Sequence, residues 1–279
     1  MDPSLDLRHA YLRDDVARAW EGQDPLRAAF ALQGEVFRDV PGRCTMRVQV
    51  GAAHYFVKLH YGVGWGEVVK NWLQLKRPVI GADNEYRVCA GLAAAGIPAP
   101  LPAAYDVSAG NIAARRSFVL CDELKGFTSL EDVTDAWPSR PPGPVDKQRM
   151  LYAVARFASN FHAHGFVHRD FYICHLLAED DALASGQVRL AVLDLHRARR
   201  FDPIPQRWLK RDLAALLFSS LDLGYTRNDW LRFIRLYTGN SLREELERRG
   251  AFWQGVLRRA EKLYDEGLRK GTVKGIYRS

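Results

Sequence analysis

Cysteine is scarce in this chain and scattered. Cys44, Cys89, Cys121 and Cys174 form no CxxC pair. That excludes a structural zinc site of the usual spacing and a disulfide framework, and it suits a reducing compartment. Long apolar runs are missing as well, with none near the ~18 residues that span a bilayer. The opening Met1-Asp2-Pro3-Ser4 lacks the basic start and apolar stretch of a secretory signal, so a cytoplasmic location is expected. There is no internal repeat and no low-complexity tract. Two further absences shape the later argument. Glycine is thin near Val40-Pro41-Gly42-Arg43, where a phosphate-cradling GxGxxG would need three, and no Ala-Pro-Glu tripeptide occurs.

What is present is an ordinary globular balance, 47% hydrophobic and 26% charged over 279 residues. That is enough for one large core or for two lobes. The net charge of +7 is uneven: His196 to Ser279 holds 19 Lys/Arg against 10 Asp/Glu. A basic final third points to an anionic partner such as nucleotide phosphates, an acidic glycolipid, a membrane surface or an acidic protein, or else to a solvated basic face. No nucleic-acid motif accompanies it, so no nucleic-acid partner is expected.

Periodicity divides the chain. Asp24-Pro25 reads as the cap and first turn of a short helix to about Gln33. Arg43 to Val50 alternates, with Cys44, Met46, Val48 and Val50 on one face; Gly51-Ala52 turns the chain and Ala53 to His60 returns as a second strand. Gly62-Val63-Gly64-Trp65-Gly66 reads as a mobile loop leading into a helix through about Lys76. Another helix covers about Asp83 to Ala95, stopped by Gly96. Strands are expected near Ala103–Val107 and Ser117–Cys121. Pro138 to Pro144 is a surface loop. Helices follow at about Val145–His164, Arg207–Leu223, Thr226–Tyr237 and Phe252–Leu268. The reading is an α+β, bilobal architecture: a β-rich lobe over residues 1–121, a hinge over 122–126 and a helical lobe over 127–279.

Two segments carry the chemistry. Val167-His168-Arg169-Asp170-Phe171-Tyr172-Ile173-Cys174-His175 follows a long helix, and Leu190-Ala191-Val192-Leu193-Asp194 is an apolar strand emptying into a loop. Their order and spacing read as the catalytic and metal-binding loops of a protein-kinase-like phosphotransferase, where one carboxylate orients the attacking hydroxyl and another holds magnesium. Asp170 is the candidate base, with His168 and Arg169 bracing its loop; Asp194 is the candidate metal ligand. His175 stands where an Asn is usual, and reads either as a second ligand, with nitrogen a poorer donor to magnesium than oxygen, or as a structural residue. Lys58, mid-strand, suits contact with ATP phosphates, and Glu85 on the helix beyond it suits pairing with that lysine. Asp122, Glu123 and Leu124 in the hinge are assigned to nucleotide binding. Asp212 reads as a simple helix-start residue or as an acceptor for backbone N–H groups of the catalytic loop.

This combination resembles the protein-kinase-like fold and, more narrowly, the bacterial lipopolysaccharide core heptose kinases of the WaaP/RfaP type. The resemblance covers most of the chain. It is carried by Tyr55-Phe56-Val57-Lys58-Leu59-His60, Gly62 to Glu67, Val167 to Leu176, Val192 to Ala198 and Lys210-Arg211-Asp212-Leu213-Ala214-Ala215-Leu216. It implies ATP- and Mg2+-dependent phosphorylation of the first heptose of the inner core (heptose-Kdo-lipid A) at the inner face of the inner membrane. It also implies that His at position 175 is compatible with activity. The short stretch from Asp194 to Asp212 favours a small hydroxyl acceptor over a peptide. Other acceptors (the second heptose, Kdo, a protein hydroxyl) and a non-catalytic pseudokinase scaffold stay open, as do peripheral membrane contact and an acidic partner such as acyl carrier protein.

Overall fold

The computed structural model describes residues 10–62, 81–109, 115–180 and 185–278; the Trp65 loop and the helix expected to reach Lys76 lie outside them. The chain forms two compact units. One is Met1–Lys125 with Leu195–Arg197, the other Gly126–Asp194 with Ala198–Ser279. The short segment after Asp194 thus belongs with the first unit, an exchange that a linear division of the sequence does not contain.

The first unit is built on a six-stranded sheet of order β1-β5-β6-β4-β3-β2. Its strands are β1 (Tyr11–Leu12), β2 (Gly34–Val40), β3 (Arg43–Val50), β4 (Ala53–His60), β5 (Pro102–Val107) and β6 (Ser117–Asp122). The alternation read in Arg43–Val50 works as expected: β3 and β4 pair antiparallel from Arg43↔His60 to Val50↔Ala53. Cys44, Met46, Val48 and Val50 are buried beside Tyr55, Val57 and Leu59. Gly51 turns the hairpin at φ 60°, a left-handed conformation that disfavours a side chain. β2 was not apparent from its sequence. It is the outer strand, and Val36 and Phe37 on it are more than half exposed, so burial imposes no alternation on it.

Helix α1 (Asp14–Ala19) and helix α2 (Pro25–Ala31) cover this sheet through Val16, Ala28 and Ala29. Asp24 caps α2 by accepting the Arg27 N–H at 2.8 Å. Helix α3 (Asp83–Ala94) buries Glu85, Tyr86, Cys89 and Leu92, and Gly96 at φ 64° turns the chain just beyond it.

The second unit is mainly helical. It contains α4 (Leu130–Thr134), α5 (Pro144–Ala163), α6 (Gln206–Ser220), α7 (Arg227–Thr238) and α8 (Leu242–Lys270). Small strands flank the segments that carry Asp170 and Asp194: β7 (Phe127–Ser129), β8 (Phe166–Val167), β9 (Leu176–Glu179), β10 (Leu190–Val192) and β11 (Arg199–Arg200). A capping box of Thr226 and Asp229 opens α7. α8 starts ten residues before the expected Phe252, and Arg249 inside it is non-helical at φ −131°. The Arg-Arg-Gly at 248–250 hid the continuity. The first turns hold on to the rest because Trp253 donates its indole N–H to buried Glu245 at 2.8 Å. An apolar cavity of about 560 Å3 lies in this unit, lined among others by Leu130, Met150, Ile173, Leu217, Phe233 and Trp253. Among the described residues no helix is long and apolar enough to cross a membrane.

His60, at the end of β4, has its pKa pushed down to about 4, first by burial and then by the charges of Arg43 and Lys58. Below the ordinary pKa of 6.5 the unfolded chain takes up a proton that the folded chain refuses, so stability falls with pH. From pH 6.5 down to 4 this group alone removes at most about 3 kcal/mol. His60→Gln is expected to flatten the pH dependence of the melting temperature in that window, and an unchanged slope refutes the assignment.

Candidate active site

The segment predicted to be catalytic leaves β8 and runs against the middle of α6. There Asp212, fully buried, accepts two backbone N–H groups: that of His168 at 2.6 Å on Oδ2 and that of Arg169 at 2.7 Å on Oδ1. The adjacent Arg211 donates its Nε–H to the Arg169 carbonyl at 2.6 Å and an Nη2–H to Asp170 Oδ1 at 3.1 Å. Arg169 is therefore gripped at both its amide and its carbonyl by consecutive residues of one helix. It needs that grip, because it sits at φ 74°, a left-handed conformation costing a non-glycine residue about 1 kcal/mol. Its guanidinium lies 4.7 Å from the Trp208 ring centre.

Of the two readings of Asp212, the geometry shows the backbone acceptor. Arg211 was missed; a basic residue beside Asp212 was its only signal in the sequence.

Two histidines tie this loop to the next. His168 is buried, and its Nε2 lies 2.7 Å from the Leu193 carbonyl. A carbonyl only accepts, so Nε2 carries the proton. Burial holds the ring below its ordinary pKa and hence neutral. His175 stacks on His168 with ring centres 5.3 Å apart and by the same logic donates from Nδ1 to the Asp170 carbonyl at 2.7 Å. Its other nitrogen, Nε2, faces Asp194 Oδ2 at 3.8 Å. The Leu193 N–H returns a bond to the His175 carbonyl at 2.8 Å. Asp194 itself is left-handed at φ 56°. The structure thus brings His168, Arg169, Asp170, His175 and Asp194 together within one unit.

The imidazole nitrogen and the carboxylate oxygen are both electron-pair donors, and a cation between them satisfies both. Among the described residues no group of three or more His, Cys, Asp or Glu is assembled for a metal. Two donors fit magnesium, which is ordinarily held by only one or two protein groups, rather than a metal caged by protein. The donor set therefore suits the metal that the sequence called for, with nitrogen as the weaker partner.

In the first unit Lys58 Nζ meets Glu85 Oε1 at 2.5 Å, with only 21% and 7% of the two side chains exposed. α3, which carries Glu85, also donates the Asn84 side-chain N–H to the His196 carbonyl at 3.1 Å. The carboxylates of the segment expected to be a hinge are engaged: Asp122 with Arg13 at 2.7 Å and Glu123 with Arg47 at 2.7 Å. Leu124 is half-buried. Gly42, at φ 81°, is the glycine at the β2–β3 turn.

A clamped His-Arg-Asp loop, an Asp at the end of an apolar strand and a strand lysine paired with a helix glutamate define a phosphotransferase of the protein-kinase type. The chain belongs to the Lipopolysaccharide kinase (Kdo/WaaP) family, whose model it matches over residues 27–237. It is 43% identical to a Pseudomonas aeruginosa protein named lipopolysaccharide core heptose(I) kinase WaaP, over 94% of this chain and 98% of that one. It is 35% identical to an Escherichia coli protein of the same name, over 93% and 98%. A solved structure titled WaaP in complex with acyl carrier protein superposes with a TM-score of 0.80 at 39% identity, covering 92% of this chain and 99% of that chain. Membership of a kinase family implies ATP as the phosphoryl donor.

Asp212→Ala leaves two buried N–H groups without an acceptor and a strained residue without its clamp. The expected loss of stability is about 3 kcal/mol, read as a lower urea midpoint with the slope unchanged. A midpoint within error of the parent protein would overturn this account.

Proposed function

We propose that this protein transfers the γ-phosphate of ATP to the first heptose of the lipopolysaccharide inner core, at the cytoplasmic face of the inner membrane. The observation that carries the reading is likeness over nearly the whole chain to proteins named heptose(I) kinases, at up to 43% identity. Asp170 acts as the base: its carboxylate is steadied by Arg211 and its backbone by His175, and it accepts the proton of the attacking sugar hydroxyl. Asp194 would hold a magnesium ion, with His175 beside it, and the ion would supply positive charge to offset that of the ATP phosphates. Lys58, held extended by Glu85, contacts phosphate oxygens. Asp122 and Glu123 have their carboxylates occupied by arginines, so residues 122–124 offer a nucleotide their backbone and the Leu124 side chain. Between Asp194 and α6 the chain spans only a 3-10 turn, the two residues of β11 and a short loop, and so short a segment favours a compact acceptor over an extended peptide.

The basic final third supports an anionic acceptor carrying carboxylates and phosphates, and peripheral contact with an anionic membrane surface. It also supports an acidic carrier-protein partner, as does the neighbouring structure titled with acyl carrier protein. The apolar cavity of the same unit is of a size and lining suited to an acyl chain. Because the family description includes Kdo, a Kdo-terminated lipid A is the second acceptor to try.

The test is transfer of radiolabelled γ-phosphate to dephosphorylated lipopolysaccharide core. Label is expected in the heptose region, with Asp170→Ala slowed about a thousandfold. Label on Kdo alone would replace the acceptor, and wild-type rates in Asp170→Ala would remove the assigned base. Lys58→Met is expected to raise the KM for ATP about tenfold or more; an unchanged KM rejects its phosphate contact.

A further inference from the structure

Beside the loop that carries Asp170, three guanidinium groups gather on one aromatic ring. The ring centre of Trp208, in the first turn of α6, lies 4.7 Å from the guanidinium carbon of Arg169, 5.5 Å from that of Arg207 and 5.9 Å from that of Arg211. Phe201 stacks beside the indole, with ring centres 6.4 Å apart and planes at 24°. The Trp208 Nε1–H is buried and has no hydrogen-bond partner, so packing rather than an N–H bond holds the ring. The face of an indole attracts a cation, and that accounts for one arginine resting there. It does not account for three, because like charges held this close repel one another.

Carboxylates offset part of this charge. Arg211 holds Asp170 Oδ1 at 3.1 Å and gives its Nε–H to the Arg169 carbonyl. Arg207 is exposed and makes no ion pair among the described residues. Its planar fork of N–H donors matches the paired oxygens of a carboxylate or a phosphate, which the point charge of a lysine does not. Arg211 also fixes where such an anion sits relative to the chemistry, since one side chain reaches both the indole and Asp170. All of these residues lie in one unit.

We propose that Arg207, with Arg169 and the Trp208 ring, forms a subsite for an anionic group, a carboxylate or a phosphate, carried by the acceptor saccharide next to the hydroxyl that is phosphorylated. The proposal rests on the reading of Asp170 as the base for a sugar hydroxyl. Arg207 is then a specificity residue: it does not touch the reacting atoms, and it favours acceptors that bring negative charge to the loop. An arginine that only packs on a tryptophan would treat charged and neutral acceptors alike.

Arg207→Gln removes the charge and Arg207→Glu reverses it, both at an exposed position where a polar side chain is tolerated, so the fold is retained. The effect is expected in the KM for the acceptor rather than in kcat. With dephosphorylated core as acceptor, that KM is expected to rise about threefold in Arg207→Gln and about tenfold in Arg207→Glu, with the KM for ATP within about twofold. Two altered acceptors find the source of the charge: one with its carboxyl groups reduced to alcohols, one stripped of every remaining phosphate. The penalty of Arg207→Glu is expected to shrink to about twofold on one of them. Shrinkage on the first identifies a carboxylate, and on the second a phosphate. A penalty undiminished on both overturns the subsite. So does an unchanged acceptor KM in Arg207→Glu, or a rise in the KM for ATP alone, which assigns the arginine to the nucleotide.

A second readout needs no transfer. The indole N–H resonance of Trp208, assigned with Trp208→Phe, is followed by NMR in the full-length protein during titration with galacturonate, glucose 1-phosphate and glucose. It is expected to move with at least one of the two sugar anions, to stay still with glucose, and to stay still with all three in Arg207→Glu. Equal movement with glucose overturns the subsite. Movement as expected in a protein that transfers phosphate to no sugar retires the acceptor reading and leaves the anion subsite standing.

Discussion

Two backbone N–H groups, those of His168 and Arg169, end on the fully buried carboxylate of Asp212. A carboxylate taken out of water is unfavourable unless its oxygens are satisfied, and two charge-assisted bonds of 2.6 and 2.7 Å are the strong kind. Each side therefore needs the other: the carboxylate cannot be buried without the loop amides, and the loop cannot keep Arg169 left-handed without the carboxylate. Arg211, one residue earlier on the same helix, extends the grip to Asp170. The position of Asp170 follows from where α6 places Arg211 and Asp212.

The ion pairs of the chain divide by burial rather than by number. Arg243 and Glu247, 89% and 63% exposed, form the kind of helix-surface pair worth a few tenths of a kcal/mol. Lys58 and Glu85 are far less exposed, and there desolvation offsets most of the attraction. Such a pair adds little to net stability, yet removing one partner strands a buried charge. Its consequence is positional: it keeps a long, flexible lysine extended along one direction. The pairing of Arg13 with Asp122 does similar work, tying the approach to α1 to the last residue of β6.

Much of this was legible in sequence, because burial writes itself as periodicity. The β3–β4 hairpin, α3, α5 and α7 showed their buried faces, and the loops that carry Asp170 and Asp194 showed an Asp in each of two recognisable settings. What escaped did so for identifiable reasons. β2 lies at an edge with both faces largely wet. The first turns of α8 cross a non-helical residue amid charged neighbours. The assignment of Leu195–Arg197 to the first unit depends on contacts with α3 that leave no periodic trace. Arg211 is a common residue type whose contacts reach a loop some forty residues away in sequence, and no local pattern marks it. His175 was left open between ligand and structural residue; its two ring nitrogens are engaged on opposite sides, one with the loop backbone and one facing Asp194.

The left-handed backbone of Arg169 has a consequence for anyone trying to engineer a hardier version of this protein. Glycine there relieves about 1 kcal/mol of strain in the folded state, but it also frees the unfolded chain by about 0.5–1 kcal/mol. The two nearly cancel, so a heat-challenge screen is blind to the exchange. The loop meanwhile loses the guanidinium resting on Trp208 and gains backbone freedom beside Asp170. Directed evolution scored on survival of heating alone can therefore drift through this position without resistance, while a library scored on turnover will hold it fixed.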